Sequence, residues 1–168
     1  MVAFQYRMDA GYPGAINRAH DATIQAEVMD NTGVPATYGL MLTMGTNGVR
    51  APVASDTAAM FSGLYVRPYP TAGGSVSNAV NDPLSVSTPP GIGHANVMKR
   101  GYMAVKLNAA SPAVVKGQAV GIFIGTASAG NPAGGVTGAA PGATVLAIPA
   151  KFVGPADANG ITEIEYNL

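Results

Sequence analysis

The residues able to do acid-base or metal chemistry are few in this chain. His20 and His94 are the two histidines and cysteine is absent, so a zinc site would need both imidazoles and carboxylates gathered by the fold. Ordinary hydrogen bonds in loops account for the histidines more simply. Asp157-Ala158-Asn159-Gly160 opens like a calcium loop, but the twelfth place, which calls for a bidentate Glu, is Leu168. The stretch therefore reads as a tight turn. Glu163 and Glu165 fall on one face of a strand, roughly 7 Å apart by strand rise, a spacing that a glycosidase carboxylate pair could use. Alternating charges on the wet face of a strand are far commoner. No serine stands in Gly-x-Ser-x-Gly, and two histidines give a triad few ways to form. Gly91-Ile92-Gly93-His94 lacks the third glycine of a dinucleotide loop, and no Gly-Lys-Ser/Thr exists for phosphates. The expectation is a protein that is not an enzyme, with no catalytic residues, no cofactor and no metal.

Composition narrows the remaining classes. The chain has 168 residues, 48% of them hydrophobic, which suits one domain with a core of its own. Charged residues make up 11%, less than half of the roughly 25% of an ordinary globular protein, and weakly charged surfaces are often covered by partners. Nine basic residues balance nine acidic ones and are scattered along the chain. Nucleic acid binding needs a basic footprint, and none is visible. No stretch approaches the roughly 18 apolar residues of a membrane helix. The sequence reads as that of a soluble protein made in the cytoplasm, with neither nucleic acid nor membrane as a partner.

The elements that must position these residues are short strands. Phe4, Tyr6 and Met8 alternate with Gln5, Arg7 and Asp9, so residues 1–20 read as an N-terminal strand or extended arm ahead of a single β domain over 21–168. Thr23 to Met29 sets Ile24, Ala26 and Val28 opposite Gln25 and Glu27, a strand with one wet face. Tyr38 to Met44 is almost wholly apolar and predicts a buried strand. Ser55 or Asp56 is placed to cap a helical turn or two near Ala58 to Phe61. Leu64 and Val66 alternate in a strand whose end, at Pro68 and Pro70, is confined to an edge. Residues 71–98 read as a long surface excursion with a short strand near Leu84 to Val86. Gly101 to Gly125 holds two alternating runs, Met103-Val105-Leu107 and Val120-Ile122-Ile124. With turn residues between them, they predict a hairpin or two neighbouring strands. Thr126 to Gly142 reads as a flexible loop, Thr144 to Ile148 as a strand ended by Pro149, and Ile161 to Leu168 as a strand with Thr162, Ile164, Tyr166 and Leu168 on one face. The fold class that follows is all-β, a jelly-roll-like sandwich or small β-barrel with long Gly/Pro-rich loops.

Several short motifs, taken in order, resemble a known family. Gly11-Tyr12-Pro13-Gly14 with Arg18 and His20, the Val66-Arg67-Pro68-Tyr69-Pro70 strand exit, Arg100-Gly101-Tyr102 with Lys116-Gly117, and the closing Gly154-Pro155-Ala156-Asp157 to Glu163 segment are similar to the structural cement, or capsid decoration, proteins of tailed bacteriophages. The resemblance covers nearly the whole chain. It implies a virion structural protein that binds the capsid exterior as a homo-oligomer, a dimer or trimer, contacts the major capsid protein and stabilises contacts between capsomers. The expected interface anchors are Phe4, Tyr6, Tyr12, Arg67 and Tyr69, since Tyr and Arg are common anchors. The rival reading is a carbohydrate- or receptor-binding β-module on the virion surface, which the absence of Trp and the presence of only 7 Tyr make thin for sugar stacking.

Overall fold

The computed structural model describes residues 11–68, 89 and 93–167. The expected strand at Phe4 to Met8, the Tyr69-Pro70 strand end and the short strand near Leu84 to Val86 lie outside the described residues, as does Leu168. The strands are β1 (Thr23–Val28), β2 (Met41–Met44), β3 (Val49–Arg50), β4 (Phe61–Tyr65), β5 (His94–Lys106), β6 (Ala119–Phe123), β7 (Val136–Thr137), β8 (Val145–Phe152) and β9 (Ile161–Asn167). Two single 3-10 turns, Ala19–Asp21 and Ala58–Met60, complete the described elements. No helix among the described residues is long and apolar enough to cross a membrane.

All nine strands belong to one antiparallel sheet in the order β3-β2-β4-β5-β9-β8-β6-β7, with β1 paired to β5 off that path. The sheet curls at both ends. Met29, just after β1, forms a bridge with Val49 of β3, and Leu107, just after β5, forms one with Val136 of β7. The result is a curled half-barrel, in keeping with the all-β, jelly-roll-like or small-barrel class expected from the alternating sequence.

The strand period divides the interior in two. In β2, β4 and β5, successive residues point to opposite faces, and both faces are covered. Met41, Leu64, Val66, Met98, Met103 and Val105 join a large cluster with Val120, Ile122, Phe152, Ile164 and Tyr166. Leu42, Tyr65, Ala95 and Val97 join a smaller one with Met29, Tyr38 and Val49. This is why Tyr38 to Leu42 and Phe61 to Val66 are buried along their whole length, as the apolar run at Tyr38 to Met44 suggested. Tyr38 to Leu40 reach that burial as a turn rather than as strand.

Five sequence expectations need correction here. His94 to Met98, read as the end of a surface excursion over 71–98, open β5, with Ala95, Val97 and Met98 buried. The runs Met103-Val105-Leu107 and Val120-Ile122-Ile124 are neither a hairpin nor neighbouring strands, because β9 and β8 lie between β5 and β6. Their apolar faces meet within the large cluster instead, so alternation identified the buried faces while the turn residues misassigned the pairing. Residues 126–142 are more than a loop: β7 pairs with β6, Met41 N–H donates to Gly134 O at 2.8 Å, and Asn108 N–H donates to Val136 O at 2.9 Å. Pro149 does not end its strand. The ladder to β6 jumps from Ala147 to Lys151 opposite Gly121 and Ala119, and proline, which has no N–H to give, is tolerated at such an irregularity. Finally, neither Ser55 nor Asp56 caps the 3-10 turn, whose N-cap Thr57 makes no side-chain cap bond. Asp56 is committed elsewhere, to Arg50.

Candidate docking surface

The Gly11 to Gly14 turn places the first expected anchor. Ala15 N–H donates to Tyr12 O at 2.9 Å, closing the turn, and Gly14 N–H donates to Ala104 O at 2.8 Å, fixing the turn to β5. Arg67 N–H donates in turn to Gly14 O at 2.8 Å. Gly14, with φ 84°, lies so close to the 38–39 backbone that a Cβ on it would come within 2.6 Å of the Tyr38 Cβ. Only glycine fits this approach, which sets the turn directly against Tyr38 and Arg67.

Two of the expected anchors are thereby brought together. The Arg67 guanidinium carbon lies 5.7 Å from the Tyr12 ring centre and 5.8 Å from that of Tyr38, cation-π distances on both sides. Tyr38 is buried and packs against Tyr65 at 4.9 Å between ring centres, tilted by 55°. Burial, with the neighbouring Tyr38 adding to it, pushes the Tyr65 hydroxyl well above the usual tyrosine range, so it remains neutral. Tyr12 is 46% exposed. The arrangement is a stack rooted in the smaller cluster, topped by a tyrosine that faces solvent. Phe4, Tyr6 and Tyr69, the other expected anchors, lie outside the described residues.

Pro13, itself buried, lines two clefts, and Tyr12 lines the first of them. One, of about 510 Å³, is lined by Gly11, Tyr12, Lys106, Asp157, Asn159 and Ile161. The other, of about 240 Å³, lies between Pro13, Tyr38, Leu40, Leu107 and Pro132. The Asp157 turn forms as its composition suggested: Asp157 Oδ1 accepts Asn159 N–H at 2.8 Å and Ile161 N–H at 2.9 Å.

The residues with chemical potential take other roles. Glu163 Oε1 accepts a hydrogen bond from Asn17 at 3.1 Å and its Oε2 lies 3.5 Å from Arg18. Arg18 in turn lies over Tyr102, 3.9 Å from the ring centre. Glu163 and Glu165 do share the outer face of β9, but one of them is tied into this surface cluster. His20 sits 3.3 Å from Asp21 on an exposed turn, and His94 opens β5. Among the described residues no three His, Asp or Glu side chains gather closely enough to hold a metal ion. The Arg18, Tyr102 and Glu163 cluster joins residues too far apart in the chain for any spacing to have signalled it.

A second surface feature runs against the sequence expectation. β1 is exposed on both faces, and only Glu27 is half-buried. Glu27 bonds Lys99 and accepts from the Ser62 hydroxyl at 2.6 Å, while Lys99 also donates to Ser62 O at 2.7 Å. Ile24 and Val28, expected to be buried, are 47% and 55% exposed. Glu27 pairs with Ala95, so it shares the face of the smaller cluster, while Gln25, opposite Val97, stays exposed. Ile24 pairs with Met98 of the large cluster, but that cluster does not extend over β1, and Ile24, Ala26 and Val28 are exposed.

Residues 1–166 match the family model of the XM1 gp53 minor capsid protein. No curated protein matches. Among solved structures, a chain of "The capsid of Myoviridae Phage XM1" superposes with a TM-score of 0.70 at 17% identity, covering 98% of this chain and 95% of that one. At that identity the superposition speaks to the fold.

Proposed function

Because the chain belongs to the XM1 gp53 minor capsid protein family, and is thus a virion structural protein, we propose that it serves as a capsid decoration or cement protein. In this reading it is made in the host cytoplasm, binds the major capsid protein on the outer capsid surface, and stabilises contacts between capsomers as a homo-oligomer. Its role is structural rather than catalytic. The observation that carries the reading is the family match along residues 1–166. The Tyr12 surface supports it further. Tyr12 is exposed yet set against Arg67, which also reaches Tyr38, and a pre-ordered aromatic loses little entropy on docking. The N-terminal arm precedes Tyr12 in the chain, the Val66 to Pro70 segment contains Arg67, and both complete the proposed contact. Each copy would add a modest interface, and an oligomer straddling a junction would gain through effective concentration.

The test is co-sedimentation of the purified protein with mature phage heads stripped of it, beside unexpanded precursor shells. The expected result is saturable binding to mature heads at a stoichiometry matching their symmetry junctions. Binding to neither shell overturns the decoration role. One observation favours a second reading, a carbohydrate- or receptor-binding module on the virion surface: the 510 Å³ cleft sets Tyr12 beside Lys106, Asp157 and Asn159, and aromatic and polar groups around such a volume suit a small polar ligand. Glycan screening separates the two.

A further inference from the structure

Asparagine stands directly before glycine twice, at Asn47-Gly48 and Asn159-Gly160. Such a pair carries a reaction of its own: the backbone nitrogen of the second residue attacks the side-chain amide carbon of the first, and glycine, without a Cβ, leaves that approach open. Both asparagines are exposed, so neither sequence nor access to water separates them. The backbone does. Asn159 belongs to the turn that Asp157 organises, where Gly160 N–H donates to Asp157 O at 3.0 Å and the N–H groups of Asn159 and Ile161 both donate to Asp157 Oδ1. The nitrogen that would attack has its proton committed to a carbonyl, which makes that proton harder to remove, and the turn is fixed on both sides of it. Asn47 lies in the loop between β2 and β3, closed by Gly45 N–H, which donates to Gly48 O at 2.7 Å. Among the described residues neither Gly48 N–H nor the Asn47 side-chain amide has a hydrogen-bond partner.

We propose that Asn47 is a site of spontaneous deamidation and that the fold protects Asn159 from the same reaction. Gly48 N gives its proton to hydroxide and bonds to Asn47 Cγ, the Cγ–Nδ2 bond breaks, and ammonia leaves with a proton from water, which closes a cyclic imide. Water then opens the imide. Opening at Cγ breaks the new bond to Gly48 N and leaves aspartate. Opening at the main-chain carbonyl breaks the original peptide bond and leaves isoaspartate, which carries the chain through its side chain and adds one backbone atom. No oxidant or metal enters the balance. The position matters to the fold. Gly48 lies so close to the end of β1 that a Cβ on it would come within 2.3 Å of Val28 O, and the next residue, Val49, accepts Asp30 N–H at 2.8 Å and bridges Met29. A longer backbone at Asn47 loosens the sheet where this end of it closes.

The purified full chain is held in mildly alkaline buffer, and peptide mapping by mass spectrometry, with isoaspartyl methyltransferase labelling, follows conversion at both asparagines. Conversion at Asn47 is expected to run about ten-fold faster than at Asn159, the scale of one backbone hydrogen bond expressed in a rate. In guanidinium chloride the two sites should converge to within about two-fold, since the unfolded chain keeps neither turn. Equal rates in the folded protein, faster conversion at Asn159, no conversion at either site, or a gap that persists in the unfolded chain overturns the proposal. So does isoaspartyl label at an undiminished level in folded Asn47→Gln. The loosening is read separately: Asn47→Asp carries the new charge without the extra backbone atom and should keep its urea midpoint, while the isoaspartyl fraction, separated by ion exchange, should fall below it. Equal midpoints overturn the structural consequence.

Discussion

The two apolar clusters, on opposite sides of the wall made by β2, β4 and β5, are held in different ways. The large cluster is closed chiefly by alternation: β9 sends Thr162, Ile164 and Tyr166 inward and Glu163 and Glu165 outward. At one edge, on the face that Thr43 and Arg50 share with Phe61, Arg50 makes a bidentate pair with Asp56, 2.8 and 3.0 Å, and Asp56 also accepts from Thr43 and from Val53 N–H. The smaller cluster has charge beside it over more of its extent, where Glu27, Lys99 and Ser62 bond one another next to Ala95 and Val97. A cluster of seven buried residues supplies less hydrophobic stabilisation than one of seventeen, at roughly 1.5 to 3 kcal/mol for each large side chain. Directional bonds make up part of the difference, and they let Glu27 of β1 sit half-buried.

The largest expected effect lies on the large cluster. Ile164→Ala should cost about 3 kcal/mol of folding stability, read from the urea midpoint, because Ile164 is fully buried and a cavity remains. A loss below about 1 kcal/mol would mean that this cluster is not held by its packing.

Asp56→Ala should come next, at about 2 kcal/mol. That is less than the roughly 3 to 5 kcal/mol of a fully buried broken pair, since the Arg50 side chain keeps some access to water. The same group supplies a pH signature. Burial raises the Asp56 pKa, but the bonds from Arg50, Val53 N–H and Thr43 together outweigh it and hold the carboxyl below its ordinary value of 3.8. A depressed folded value stabilises the protein above the unfolded value, and that contribution is lost as pH falls through the folded one. Urea midpoints should therefore drop below about pH 4 in the parent and drop less steeply in Asp56→Asn. Identical acid limbs would remove Asp56 from the acid response.

The smallest effect sharpens the contrast. Ile24→Thr with Val28→Thr keeps β-branched residues on an exposed face and should change stability by less than about 0.5 kcal/mol. The urea midpoint reads the change. A loss of several kcal/mol would show that the outer face of β1 is covered within one chain.

What was legible in the sequence follows the same division. The β9 faces could be read because alternation there is decided by burial alone, and Thr162 to Tyr166 are placed as the pattern required. The all-β class and the Asp157 turn were legible for similar local reasons. β1 was misread because Ile24, Ala26 and Val28 carry the same pattern as a core strand, while neither apolar cluster extends over them. The β7 region was missed because Gly134 and Gly135 look like loop residues. Gly135 is glycine because Asn108 Oδ1 would lie 1.8 Å from its Cβ, a contact between distant residues that composition does not reveal. Of the site, Tyr12 and Arg67 were named individually. Their junction through Gly14 and Tyr38 depends on two glycines that meet only in the folded chain.

The bonds between Gly14 to Asn17 and β5 have a mechanical consequence. This segment runs alongside Met103 and ends toward Lys106, and bonds in an antiparallel ladder lie across the strands. A tension applied to the chain ahead of Gly11 and directed past that end of β5 loads these bonds in shear, all at once, rather than peeling them singly. The anchorage is therefore strongest against a pull along β5 and weakest against one that lifts the segment away from it.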